Sequence, residues 1–179
     1  LELRSGRRLE ADLVVTATGL QLQVLGGATL DIDGRPADPA TTVSYKGVLY
    51  SDMPNLASVF GYTNASWTLK ADVICGYVCR LLNHMQRHGY SQCTPRIADS
   101  TMQRLPPVDF SSGYFQRAMD KLPRQGSRSP WRIHQNYVRD LIALRFAPID
   151  DGALEFFSTR GGARRARCRL AANAAATRP

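Results

Sequence analysis

The sequence predicts an α/β fold on three observations. The run Leu13-Val14-Val15-Thr16-Ala17 is short, β-branched and nearly continuous in its apolar character, which suits a strand buried on both faces of a sheet. Leu56 to Tyr62 forms a second apolar run, broken at Gly61. Beyond it, Leu69, Val73, Ile74, Tyr77, Val78, Leu81, Leu82 and Met85 recur at the spacing of one helix face. Strand, short polar turn and long amphipathic helix therefore follow one another.

Taken in order, residues 2–20 read as a hairpin ending in that buried strand. Ser5-Gly6 supplies the turn, Leu9 to Leu13 starts the return, and the strand stops at Thr18-Gly19. Residues 26–45 read as irregular with a second hairpin, because Asp31-Ile32-Asp33-Gly34 ends in an Asp-Gly pair that tolerates positive φ. Tyr45 to Tyr50 reads as a strand closed by the turn Asp52-Met53-Pro54-Asn55. Thr63-Asn64-Ala65-Ser66 then offers helix-capping residues directly before the long helix. Past Gly89 the chain reads as loop-rich, with Pro95, Pro106 and Pro107. A short helix is expected over 111–121, a linker-like turn over Gln125–Trp131, and a further helix from about Gln135 to Leu144. The apolar face of that last helix would be Tyr137, Val138, Leu141, Ile142 and Leu144. The Arg/Ala-rich tail from Gly161 carries no structural pattern, and there is no internal repeat.

Composition narrows the function classes. A chain of 179 residues, 44% hydrophobic and 21% charged, has the composition of a globular protein with a single core. It opens Leu1-Glu2-Leu3 without a charged-then-apolar leader, and no apolar run is long enough to cross a bilayer. The expectation is a soluble fragment in the cytoplasm, with association at a membrane surface left open. The net charge is +8, but residues 160–179 hold six arginines and no acid. Such a tail reads as a solvated end, and the body carries no basic stripe that would call for nucleic acid. The pattern Cys75, Cys79, His84, His88 resembles a zinc motif. On one helix the two pairs fall roughly 180° apart, so no single tetrahedral ion could collect them. Buried thiols beside exposed imidazoles are expected, with no metal.

The chemistry concentrates at the strand–turn–helix junction. The first N–H groups of a helix have no intrahelical partner, and the macrodipole adds positive character there. In Phe60-Gly61-Tyr62-Thr63-Asn64-Ala65-Ser66-Trp67, Gly61 and Ala65 would let a planar ligand approach closely. Lys70 and Asp72 fit a first-turn pair that solvates the helix. Trp67 suits either contact with a ligand or an aromatic anchor for the helix. His84, His88 and His134 have no acid or nucleophile paired with them in sequence, so no catalytic residue is assigned.

Three stretches carry a resemblance to a known family. Ala11-Asp12-Leu13-Val14-Val15-Thr16-Ala17-Thr18-Gly19 is similar to the strand-plus-Ala-Thr-Gly motif of flavin-containing and Baeyer–Villiger monooxygenases. Gly61-Tyr62-Thr63-Asn64-Ala65-Ser66-Trp67-Thr68-Leu69-Lys70-Ala71-Asp72 resembles the helix entry beside the flavin in that family. Gln125-Gly126-Ser127-Arg128-Ser129-Pro130-Trp131-Arg132, with Gln135-Asn136-Tyr137, resembles the C-terminal signature of the subgroup that includes the ethionamide-activating monooxygenase.

The resemblance covers roughly residues 1–157. It implies the C-terminal part of a flavoprotein with two Rossmann-like dinucleotide-binding domains, incomplete on its own. Residues 1–19 would end the NADPH domain and cross over, residues 20–157 would complete the FAD domain and add the family's C-terminal segment, and 158–179 would be a disordered tail. FAD and NADPH are the implied cofactors. One atom of O2 would go into a ketone, or onto the sulfur or nitrogen of a small thioether or amine. Ala17, Thr18, Gly19, Thr63, Asn64, Ala65, Ser66, Trp67 and Thr68 are the implied cofactor contacts, while Trp131 and Arg132 fit either the nicotinamide nucleotide or a structural pin. No Gly-x-Gly-x-x-Gly turn occurs in the chain, so the phosphate turns and the family's catalytic arginine are expected upstream of Leu1. An inactive truncated remnant, or a basic interaction module using the arginine tail, are the competing classes.

Overall fold

The computed structural model describes residues 1–107 and 113–158, together with the backbone of 168–171. Its organising element is helix α1, Trp67–His88, about 33 Å long at 1.5 Å per residue. Lys70, Val73, Ile74, Tyr77, Leu81 and Met85 form its buried face, three to four residues apart as one stripe requires. Gly89 ends the helix in the left-handed region at φ 68°, a conformation glycine takes without steric cost. Arg87 places a positive group in the last turn, where it complements the macrodipole.

This stripe shares one buried cluster with two groups of residues, Val43, Tyr45, Val48 and Leu49, and Cys93, Trp131, Leu144, Ile149 and Leu154. The first group belongs to a tight hairpin, β3 Ser44–Tyr45 and β4 Leu49–Tyr50. The single strand expected over 45–50 is thus folded back on itself, because Lys46 and Gly47 both take positive φ, 52° and 69°. The second group includes β5 Tyr90–Pro95, paired antiparallel with β8 Leu154–Ser158. The expected loop after Gly89 is therefore a strand. Its Tyr-Ser-Gln-Cys-Thr-Pro sequence lacks an apolar alternation, and its order comes from pairing with a distant partner.

The expected hairpin at Asp31–Gly34 is present. β1 Thr29–Ile32 pairs with β2 Arg35–Ala37, and the Asp31 carboxylate accepts the Gly34 N–H at 2.7 Å. On its other edge β1 pairs with β9 Cys168–Ala171, so part of the tail expected to be disordered is a strand. The rest of the tail lies outside the described residues. Residues 2–8 close the tight turn expected at Ser5-Gly6, with a bridge between Glu2 and Arg8.

Other expectations are corrected. Leu13, Val14 and Val15 are 81%, 51% and 82% exposed, and 13–17 forms no strand. A strand apolar on both faces is stable only between neighbours, and the described residues offer it none. Leu56–Tyr62 is likewise no strand beyond one bridge, Leu49 to Ala57. Leu69 and Leu82 are exposed while Lys70 is buried on the face they were expected to share. Cys75 and Cys79 are exposed, and among the described thiols only Cys93 is buried; burial pushes its pKa up to about 12. The turn expected at Gln125–Trp131 is present, with Ser127, Arg128 and Ser129 exposed, but its ends are anchored: β7 Gln125–Gly126 pairs with β6 Arg104–Leu105, and Trp131 is buried. The short helix expected over 111–121 is α2, Gly113–Ala118, extended by a 3-10 turn to Lys121; Ser111 and Ser112 lie outside the described residues. The expected helix near 135–144 is α3, Tyr137–Leu141, continued as one π-helical turn, Ile142–Phe146. Of its five apolar positions Leu144 is buried and Leu141 partly so, while Tyr137, Val138 and Ile142 are exposed. Arg80 of α1 donates to the carbonyls of Leu144 and Ala147 at 2.6 and 2.8 Å, which satisfies the frayed end of that segment. The result is a mixed α and β chain with small antiparallel sheets.

These contacts set the ranking of core positions. Ile74 is 1% exposed, so Ile74→Ala is expected to cost about 2–5 kcal/mol. The buried Tyr77 hydroxyl finds no hydrogen-bond partner among the described residues, so Tyr77→Phe should change stability by less than about 1 kcal/mol, or increase it. Urea denaturation of both variants checks the ranking; equal losses would contradict it.

Candidate functional site

The first turn of α1 opens onto a cleft of about 330 Å³. Ser66, the residue preceding the helix, places no side-chain bond on its N–H groups, and the first turn holds no acid. Ser66 Oγ instead pairs with Thr68 Oγ1 at 2.8 Å. The partial positive charge of the helix start is therefore left uncompensated by side chains.

Leu22, Val24, Leu25, Phe60, Trp67, Phe115 and Ile133 give the cleft apolar walls, with Ser44, Ser58, Lys70 and Gln135 as polar points. Phe60 meets Trp67 edge-on at 5.2 Å between centroids and Phe115 at 6.1 Å, arrangements that aromatic quadrupoles favour. Trp67 is 52% exposed, so it serves as a wall of the cleft. Its indole lies over Gly61: a Cβ at that residue would sit 2.1 Å from Trp67 Cδ2. The close approach that Gly61 permits is thus used by the protein's own indole.

Two of the stretches singled out in the sequence meet at this point. The side-chain oxygen of Gln135 accepts the Thr63 N–H at 3.1 Å and the Thr63 hydroxyl at 3.3 Å, and its backbone carbonyl accepts Asn64 Nδ2 at 3.0 Å. The turn entering α1 is thereby tied to the segment entering α3. Asn136 caps α3 by accepting the Arg139 N–H at 3.0 Å, which directs the following turn inward and buries Asp140. There Asp140 Oδ2 accepts from Lys70 Nζ at 2.6 Å and from the Tyr62 hydroxyl at 2.7 Å. Burial pulls the Lys70 pKa down, with Asp140 opposing that shift. Burial and the Asp140 carboxylate both push the Tyr62 phenol up.

Of the expected cofactor contacts, Trp67 lines the cleft and Thr63 and Asn64 are tied to Gln135 beside it. Ala65, Ser66 and Thr68 are exposed at the helix start and do not line it. Ala17, Thr18 and Gly19 are exposed and also outside the lining. Gly19, at φ 93°, passes against Tyr114 of α2, whose neighbour Phe115 is a cleft wall. Trp131 is a core residue packed edge-on against Tyr45 at 5.5 Å, while Arg132 is exposed in a separate open groove with His134 and Arg139. Among the described residues no three His, Cys, Asp or Glu side chains converge.

Sequence reasoning missed Lys70 and Asp140. The signal was present for Lys70, which falls three, four and seven residues before Val73, Ile74 and Tyr77, on the stripe read as core. The reading as a solvated pair with Asp72 is corrected: Asp72 is exposed and Lys70 is 2% exposed.

Comparison with known proteins makes the chain a homologue of FAD-containing monooxygenases, and it spans about a third of the length of the curated relatives it matches. FAD-containing monooxygenase EthA of Mycobacterium tuberculosis (strain CDC 1551 / Oshkosh) is 50% identical over 156 residues, which are 87% of this chain and 32% of EthA. EthA of Mycolicibacterium smegmatis is 47% identical over 160 residues, 89% of this chain and 32% of that protein. "Probable FAD-binding monooxygenase AlmA" of Acinetobacter baylyi is 47% identical over 158 residues, 87% of this chain and 32% of its own length. No protein-family model and no solved structure matches the chain.

The packing of Trp67 on Gly61 yields a direct expectation. Gly61→Ala should displace the indole and cost about 1–3 kcal/mol by overpacking, whereas Ala65→Gly at the exposed turn should leave the packing intact. Near-UV circular dichroism, with Trp67→Phe as the difference reference, reads the displacement; an unchanged Trp67 signal in Gly61→Ala would refute the contact.

Proposed function

We propose that this chain forms one wall of the flavin site in an FAD- and NADPH-dependent monooxygenase that transfers one atom of O2 to a ketone, or to the sulfur or nitrogen of a small molecule. The observation that carries this reading is the aromatic cleft opening at the uncapped start of α1. The names of the relatives, which specify FAD and monooxygenation, point the same way.

Small-molecule sites run from about 300 to 1,000 Å³, and this cleft, about 330 Å³, has room for a fused ring system. With no Gly-x-Gly-x-x-Gly turn in the chain, the phosphates and adenosine of FAD would be held by other parts of a longer protein. That protein would have two Rossmann-like domains, and residues 1–19 would cross between them, with Ala17, Thr18 and Gly19 at the passage. The exposed run Leu13–Ala17 would there gain the strand neighbours it lacks among the described residues.

FAD, when bound, supplies the reaction with O2. The chain's own groups have three tasks. Phe60, Trp67 and Phe115 exclude water from the ring face. The N–H groups at the start of α1 favour negative charge next to them. Gln135 holds Thr63 and Asn64, and so holds the helix start in place against the cleft.

In the full-length enzyme, Trp67→Ala and Phe115→Ala are each expected to weaken FAD retention about tenfold, near 1.4 kcal/mol, and to shift the visible absorption of bound flavin. NADPH oxidation with ketones and thioethers would fall in parallel. FAD occupancy and spectrum unchanged in both variants would reject the cleft as the flavin site.

A further inference from the structure

Every buried position on the core stripe of α1 except one is apolar or aromatic; the exception is Lys70. Its side chain is 3% exposed and that of its partner Asp140 7%. Pairs this deeply buried add little to stability compared with an apolar pair of the same volume, because desolvation offsets the attraction. Their field, however, is poorly screened by water and is felt by neighbouring groups.

The pair is also oriented. Lys70 lines the cleft and Asp140 does not. Lys70 Nζ comes within 3.9 Å of where a Cβ would stand on Gly47, another lining residue. On the far side, the Asp140 carboxylate is shared between Lys70 and the Tyr62 hydroxyl, and Tyr62 does not line the cleft. The ammonium therefore lies beside the lining residue Gly47, while its counter-charge on Asp140 and the Tyr62 ring, whose centre is 5.1 Å from Nζ, belong to residues outside the lining.

We propose that Lys70 is the fixed positive charge of the cleft and raises the reduction potential of the flavin bound there, with Asp140 tempering that effect. The proposal rests on the cleft being the flavin site. Reduction adds negative charge to the flavin, so a cation at the cleft favours the reduced form. Removing the cation and removing its counter-charge must then act with opposite sign, which a merely structural pair would not do.

The test is the midpoint potential of bound FAD in the full-length enzyme, with bound-flavin absorption as the check on occupancy. Lys70→Met is expected to lower the potential and Asp140→Asn to raise it. Each would change the preference for reduced over oxidised flavin about tenfold, about 30 mV for a two-electron couple. Lys70→Arg keeps the charge and should stay near the parent value. Shifts of the same sign in Lys70→Met and Asp140→Asn, or no shift in either, would overturn the proposal. Should Lys70→Met fail to fold, Asp140→Asn decides alone: a rise supports it, and a fall or no change refutes it. If Trp67→Ala perturbs the flavin while the two charge variants leave its potential unmoved, the Lys70 inference falls alone. If all three leave the flavin unmoved, the cleft assignment falls with it.

Discussion

A buried ammonium and carboxylate 2.6 Å apart, Lys70 and Asp140, join the first turn of α1 to α3, and the geometry of the cleft depends on that junction. A buried cation without its partner is several kcal/mol out of place, so α1 and α3 cannot separate cheaply. Asp140 reaches Lys70 because Asn136 starts α3 at the right residue. The residue before that cap, Gln135, is then beside the turn that enters α1, where its oxygens take three donors from Thr63 and Asn64. A single ion pair and one helix cap thus hold the site's turn, although the two segments are some seventy residues apart in sequence.

The aromatic wall follows from the same placement. With the start of α1 held, Trp67 projects over Gly61 and against Phe60. Phe60 in turn belongs with Leu22, Val24, Phe115 and Leu122 in a small apolar cluster separate from the main core. The cleft is lined by that small cluster and by Leu25 and Tyr50 of a third apolar cluster. Its lining is drawn from distant parts of the chain, and two of its polar points, Lys70 and Gln135, are also the residues that tie α1 and the turn before it to the segment of α3.

Much of this was legible from local pattern. Periodicity marked α1 and most of its buried stripe, Gly89 marked its end, Asp33-Gly34 marked the β1–β2 turn, and the resemblance brought attention to both segments that meet at Gln135. The kinship to FAD-containing monooxygenases was readable from residues 11–19, 61–72 and 125–137, because such stretches are determined by local residue order. Failures came where order depends on a remote partner. Tyr90–Pro95 has no strand pattern of its own and is a strand because Leu154–Ser158 lies beside it. Leu13–Ala17 has a strong strand pattern and is not a strand, since the described residues give it no neighbour. Gln125–Trp131, rich in turn residues, is a turn whose ends are fixed in the core, where Trp131 packs beside Tyr45.

The sequence by itself determined the long helix, its polar entry and the likeness to FAD-containing monooxygenases, since periodicity, capping and motif spacing all act within a few residues along the chain. Only the tertiary structure decided that Lys70 faces inward, that Gly61 serves Trp67, and that Cys75 and Cys79 face outward. Each of those outcomes turns on what lies across a gap from the residue. A lysine is stable in the interior only when a carboxylate is already waiting there, and nothing in the order of residues around Lys70 states that Asp140 will be.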